Sequence, residues 1–244
     1  MSLLLRDSLN IPIATSSDNP DPVDQITSTL SEVHICVTDH KATVRERVGS
    51  MLFEYPGGSF FQNNNSVLVP LTNYVRDAIF PSDSVMKDRP THLVDAYCGS
   101  GLFAISLSPY FSKVSGIELS SDSIKSATHN ARLNNLPQNK ISFLSGDAAN
   151  IFSTVQDFPP ASTVLVIDPP RKGCDERFIE QLVKFGAGCV VYVSCNVHTQ
   201  ARDVGEILRR TKGSEGGGYI LESLRGFDLF PQTAHVESVA VLRR

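Results

Sequence analysis

Three chemically active side chains stand at the borders of apolar, β-branched runs: Asp168 in "TVLVIDPPRKG", Cys195 in "CVVYVSCNVHTQARD" and Glu237 in "AHVESVAVL". A thiol and two carboxylates can supply a nucleophile, a proton acceptor and a group that orients a polar substrate edge. The two prolines after Asp168 restrict the backbone, so its carboxylate is expected in a rigid turn. "TQARDVGEIL" is expected to open a helix just past Cys195, whose amino end would lower the thiol pKa from about 8.5. Bland readings exist for each: a capping Asp, a buried Cys and a surface Glu. Position decides between them, and position depends on the elements.

From His92 onward strands and helices alternate. "HLVDAY", "VSGIEL", "KISFLSGD", "TVLVIDPP" and "CVVYVSC" read as strands. "SGLFAISLSPYF", "DSIKSATHNARLNN", "DERFIEQLVKF" and "TQARDVGEILRR" read as helices. "GYILESLRGFDLF" and "VESVAVLRR" close the chain as two strands whose short connection implies an antiparallel pair. The expected fold class is α/β, a doubly wound, mostly parallel sheet with an antiparallel last strand, binding ligands at the carboxyl ends of its strands. Ahead of it, "EVHICV" and "MLFEYP" read as short strands, and "NSVLVPLTNYVRDAIF" as a helix interrupted by Pro70. Residues 1–50 are expected to form an amino-terminal extension, and 51–244 the main domain.

Those strand ends carry a second constellation. "VDAYCGSGLFAI" is a strand, a glycine turn and a helix start, with Gly99 and Gly101 allowing close backbone approach to a ligand. "GSGLFA" also fits a dinucleotide fingerprint, so the turn alone leaves a nicotinamide cofactor open. Asp95, at the end of the preceding strand, would repel a pyrophosphate but suits an amino group, such as that of the methionine part of S-adenosylmethionine. Glu118 ends the second strand, where a carboxylate reaches ribose hydroxyls. Asp147, after the third, is placed to accept from an adenine amino group. Three acidic residues at successive strand ends beside the glycine turn favour a cofactor pocket, and Asp95 favours S-adenosylmethionine over NAD.

A methyl donor beside a thiol and two carboxylates suggests a specific reaction. Carbon 5 of uracil is too weak a nucleophile to take a methyl group unaided. A thiolate adding to carbon 6 makes the ring an enolate, and a base must afterwards remove the proton from carbon 5. Cys195, Glu237 and Asp168 would be nucleophile, base and orienting group. An amino-group methyltransferase on adenine or guanine would need only the Asp-Pro-Pro turn, which can hold a flipped-out base. A non-catalytic RNA-binding fragment is a further alternative.

Composition sets the remaining limits. The 244 residues carry a net charge of −4, without the basic footprint usual in nucleic-acid binders. Five cysteines with no CxxC pair suggest neither disulfides nor a metal site. No apolar run approaches a membrane span, and the start lacks a secretory signal, so the chain reads as intracellular, in cytoplasm, nucleus or mitochondrion.

The stretches "GSFFQNNN", "DAYCGSGLF", "GIELS", "IDPPRKG", "YVSCNVHTQARD" and "FPQTAHVESVAVL" resemble, in order, the RNA (uracil-5-)-methyltransferases. The wording of "LLLRDSLN" and "CVTDHKATV" is most similar to fungal members that form 5-methyluridine in the tRNA T-loop. The resemblance implies a Rossmann-like fold, S-adenosylmethionine as methyl donor and tRNA as substrate; the oligomeric state is left open, with a monomer favoured. It implies Cys195 as nucleophile and Glu237 as proton acceptor. Gln62, Tyr97 and Glu118 match cofactor contacts, Asp168 the junction of cofactor and uracil, and Arg171 a support for the base or a phosphate. Leu102 stands where some members have a cofactor-contacting asparagine, leaving that contact absent or to the backbone. Members usually carry an RNA-binding β-barrel ahead of the catalytic domain, so the chain resembles the catalytic part of a longer protein. The missing basic footprint fits that expectation.

Overall fold

A computed structural model describes residues 6–10, 33–82, 89–146, 152, 154–214 and 217–244. Its centre is a seven-stranded sheet made of β5 (His92–Ala96), β6 (Lys113–Glu118), β7 (Ile141–Ser145), β8 (Thr163–Ile167), β9 (Cys189–Ser194), β10 (Ile220–Phe227) and β11 (Glu237–Arg243). The spatial order is β10-β11-β9-β8-β5-β6-β7. The five strands β9-β8-β5-β6-β7 pair in parallel, whereas β11 runs antiparallel to both β9 and β10. The expected doubly wound sheet with an antiparallel end is therefore present. Every residue of β8 and β9 is buried, as their continuous apolar runs require of strands covered on both faces.

Helices cover the two faces. On one lie α1 (Asn65–Ile79), α2 (Leu102–Leu107) and α3 (Ser121–Leu133), and Leu68, Leu71, Phe103, Ile105 and Ala131 share a core with Leu93, Val166 and Val191 of the sheet. On the other lie α4 (Glu176–Phe185) and α5 (Val197–Thr211), where Phe178, Leu182 and Ile207 pack on Val94, Leu165 and Tyr192. Period-2 alternation of sheet side chains divides the two cores. Local signals fix the helix starts: Ser120, Asp175 and Asn196 are amino caps whose side chains accept from the N–H of Ser123, Phe178 and His198. Between β7 and β8 the described residues include a 3-10 turn at Pro160–Ser162.

Two smaller antiparallel pairs precede the sheet: β1 (Arg6–Asn10) with β2 (Val33–Val37), and β3 (Thr43–Val48) with β4 (Met51–Pro56). β1 and β3 lack an apolar run to announce them; "TVRERV" buries only Val44 and Val48. The β3–β4 hairpin straddles residue 50. Its Phe53 and Tyr55 belong to the same core as α1 and α2. Pro70 does not interrupt α1, which runs unbroken across it. The ring sits on the exposed side, and the N–H it lacks would have bonded to the carbonyl of Ser66, also exposed, where water can serve instead.

Candidate active site

The strand order reverses at β5 and β8, and the loops leaving their carboxyl ends open onto one cavity of about 680 Å³. Gln62, Tyr97, Gly99, Glu118, Asp168, Arg171, Cys195 and Glu237 line it. The residues singled out by the sequence are thus brought together from positions 62 to 237, apart from Asp95 and Gly101, which stand just behind the lining. Asp147 lies outside the described residues.

On the β5 side the chain turns sharply. Tyr97 takes a φ of 63°, Gly99 51° and Gly101 92°. The φ of Gly101 favours glycine, and a Cβ there would also lie 2.9 Å from the end of the Ile105 side chain, which would have to shift. Gly99 has open space where its Cβ would be, leaving its backbone accessible. Asp95 is 1% exposed. Its Oδ2 accepts from Ala104 N–H at 2.8 Å, which ties the carboxylate to α2, while the buried Oδ1 has no partner. Burial first, and then repulsion from Asp168 and Glu118, pushes its pKa up to about 8. Glu118 receives the N–H of Ser120 at 2.9 Å and of Gly99 at 3.3 Å, so it braces the glycine turn from the next strand.

Gln62 reaches the cavity from between β4 and α1. Phe61 anchors the segment by stacking on Tyr55, ring centroids 4.5 Å apart. Gln62 is itself buried, with Oε1 unpartnered. Gln62 Oε1 at the cavity and Asp95 Oδ1 behind its lining are unmet acceptors, each costly unless a donor arrives. Together with the open backbone at Gly99, they fit a ligand carrying an amino group, such as S-adenosylmethionine.

On the other side, Asp168 directly follows β8, and Cys195 directly follows β9. Glu237 opens β11, where Ser238 pairs with Ser194; antiparallel register therefore sets Glu237 across from Cys195. Glu237 is 1% exposed, and neither carboxylate oxygen has a hydrogen-bond partner. Burial, and then the charge of Asp168, raises its pKa; burial raises that of Asp168.

Cys195 is half-buried. Its thiol pKa is raised rather than lowered: burial and the charges of Glu237 and Asp168 push it up, against a hydrogen bond and positive charge from Arg171. The expectation from the α5 amino end is corrected here. The helix does start two residues on, at Val197, but two carboxylates share the cavity with the sulfur. Cys98, Cys174 and Cys189 are buried.

The sequence reading omits several lining residues: Phe60, Phe61, Leu119 and Phe230. Phe60 and Leu119 are each 72% exposed, which is unusual for large apolar side chains beside a polar site. The signal available was their adjacency to Gln62 and Glu118.

A family model described as tRNA (Uracil-5-)-methyltransferase matches residues 32–244. The tRNA (uracil(54)-C(5))-methyltransferase of Schizosaccharomyces pombe is 49% identical over 212 residues, covering 86% of this chain and 39% of the relative. The enzyme of the same name from Saccharomyces cerevisiae is 45% identical over 209 residues, with 86% and 32% covered. The chain thus spans less than half the length of these relatives. Among solved structures, Pyrococcus abyssi tRNA (uracil-54, C5)-methyltransferase in complex with S-adenosyl-L-homocysteine superposes with a TM-score of 0.66 at 28% identity, over 85% of this chain and 45% of that one. M. jannaschii TYW2 in complex with AdoMet, at 15% identity and a TM-score of 0.54 over 86% of this chain and 90% of that one, shares the fold. With its methyltransferase fold and a family match across most of its length, the chain belongs to the tRNA (uracil-5-)-methyltransferase family.

Proposed function

We propose that this chain is the catalytic part of an enzyme that methylates carbon 5 of a uracil in tRNA, through a covalent adduct with Cys195. The observation that carries the reading is the buried Glu237 carboxylate, which has no hydrogen-bond partner and lies across the β9–β11 register from Cys195. A carboxylate buried without donors is expensive for a fold and suits a proton acceptor at a reacting centre.

The residues divide the work. Cys195 adds to carbon 6 as a thiolate, forming the carbon–sulfur bond and leaving carbon 5 nucleophilic; Arg171 favours the thiolate. Asp168 orients the polar edge of the pyrimidine. S-adenosylmethionine, held by Asp95, Glu118, Gln62, Tyr97, Asp168 and the Gly99 backbone, supplies the methyl group when bound. Glu237 then takes the proton from carbon 5, the carbon 5–carbon 6 double bond re-forms, and the thiolate leaves. Preference for uracil 54 of tRNA rests on the names of the fungal relatives, and its placement in the T-loop on the family resemblance.

Methyl transfer from radiolabelled S-adenosylmethionine to T-arm RNA is the test, run on the chain and on Cys195→Ala. The variant should lose at least about 10³-fold in rate while calorimetry still shows cofactor binding. Turnover at the parent rate would remove the covalent route.

A further inference from the structure

The loop carrying Arg171 is held from behind by residues that do not line the cavity. Asp203 of α5 is 1% exposed, and its Oδ2 accepts from Cys174 N–H and from Tyr192 O–H, each at 2.7 Å. Its Oδ1 pairs with Arg202. The Arg202 guanidinium donates in turn to the carbonyl of Lys172 at 2.9 Å. The amino cap of α5 and one residue of its first turn reach the carbonyl of Arg171 itself: Asn196 through Nδ2 at 3.0 Å, and Thr199 through Oγ1 at 3.2 Å. Gly173 completes the fit. It has a φ of 78°, and a Cβ there would lie 2.5 Å from Asp203 Oδ2 and 2.7 Å from Arg202 Nη2.

Tyr192 belongs to β9 three residues before Cys195, and α5 starts two residues after it. The strand and helix that fix the thiol are therefore tied, through one buried carboxylate, to the loop that fixes Arg171. We infer that Asp203 is a positioning residue: it locks the 169–174 loop onto α5 and so holds the Arg171 guanidinium against the Cys195 sulfur. The catalytic consequence rests on the proposed role of Cys195; the positional claim does not.

The sign of one measurement separates this role from simpler ones. The charged groups acting on the thiol are Glu237 of β11, Asp168 after β8 and Arg171. Were Asp203 merely another negative charge nearby, removing it would favour the thiolate and lower the thiol pKa. Were it only a buried stabilising group, its loss would lower the melting temperature and leave the thiol unchanged. Releasing Arg171 instead raises the thiol pKa.

The experiment is the pH dependence of Cys195 alkylation by iodoacetamide, followed by peptide mass spectrometry on the ligand-free chain, with the exposed Cys36 as internal reference. Asp203→Asn should move the Cys195 midpoint up by about half to one pH unit and leave Cys36 unmoved. In an Arg171→Ala background the same change should add nothing, because the group through which Asp203 acts is gone. A downward shift, no shift, or an upward shift that persists without Arg171 overturns the proposal. Thr199→Val, on a half-buried helix surface, provides the same readout should Asp203→Asn fail to fold. It too should raise the midpoint, and an unmoved midpoint counts against the lock. Because alkylation needs neither RNA nor methyl transfer, its failure is distinguishable from failure of the uracil reading.

Discussion

Glu237 illustrates how one side chain can be costly to the fold and useful to the reaction. Its folded pKa is raised, so any stability tied to its neutral form is fully present below the usual carboxylate range and is lost as pH rises through the folded value. The same holds for Asp95, whose folded value is about 8. The ligand-free protein should therefore lose stability from acid to mildly alkaline pH. Glu237→Gln should remove part of that loss, melting roughly 2–4 °C higher than the parent at pH 8 and equally at pH 4. Scanning calorimetry at both values checks this, and equal melting at pH 8 would mean that the carboxylate is satisfied in solution. In single turnover the same variant should form the methylated adduct and release it about 10²-fold more slowly or worse; an unchanged adduct lifetime would take Glu237 out of the base role. Residue types at strand ends make Cys195, Asp168 and Glu237 legible in the sequence. The direction of the thiol shift is not, because it depends on the β9–β11 register that sets a carboxylate opposite the sulfur.

Among the elements, α3 connects the front hairpin to the cofactor side of the cavity. Asn130, fully buried, accepts from Glu54 N–H of β4 at 2.8 Å and donates to the carbonyl of Ser100 in the glycine turn at 3.1 Å. Asn134, one turn on, accepts from Leu52 N–H at 2.8 Å and donates to the Leu52 carbonyl at 2.7 Å. Asn130→Ala would orphan two backbone groups and should cost about 2–4 kcal/mol. Urea denaturation measures that loss, and calorimetry should show weaker S-adenosylmethionine binding as the glycine turn loosens. Asn134→Ala, which leaves the turn alone, should destabilise without changing affinity; equal effects on binding would contradict this division. Periodicity reveals the parallel strands and their helices because each buries a continuous apolar face. It is silent on β1 and β3, whose strand character comes from pairing partners, and misleading at Pro70, where an exposed position near the helix start tolerates the missing donor.

For the molecule as a whole, the cavity is an acidic chamber: Glu118, Asp168 and Glu237 line a volume sized for a nucleoside ligand and a base, and Asp95 stands close enough behind them to feel the charges of Asp168 and Glu118. A cation entering it favours the ionised carboxyls, so binding of positively charged S-adenosylmethionine should strengthen by about tenfold relative to neutral-sulfur S-adenosylhomocysteine between pH 6 and 8. Parallel pH dependence of the two ligands, by calorimetry, would show that the carboxyls do not sense the sulfonium. The same convergence accounts for a site assembled from residues 62 to 237 that no local stretch discloses: strand ends are marked in the sequence, but only the sheet order shows that they share an edge. The central claim, that Cys195 adds to carbon 6 of a uracil, is tested most directly by trapping. The chain is mixed with S-adenosylmethionine and T-arm RNA bearing 5-fluorouridine at the target position, where fluorine cannot leave as a proton does. The expected product is a methylated, denaturation-resistant RNA–protein adduct that maps to the Cys195 peptide and is absent from Cys195→Ala. Methylated RNA released free of protein, or an adduct on any other residue, would contradict the account.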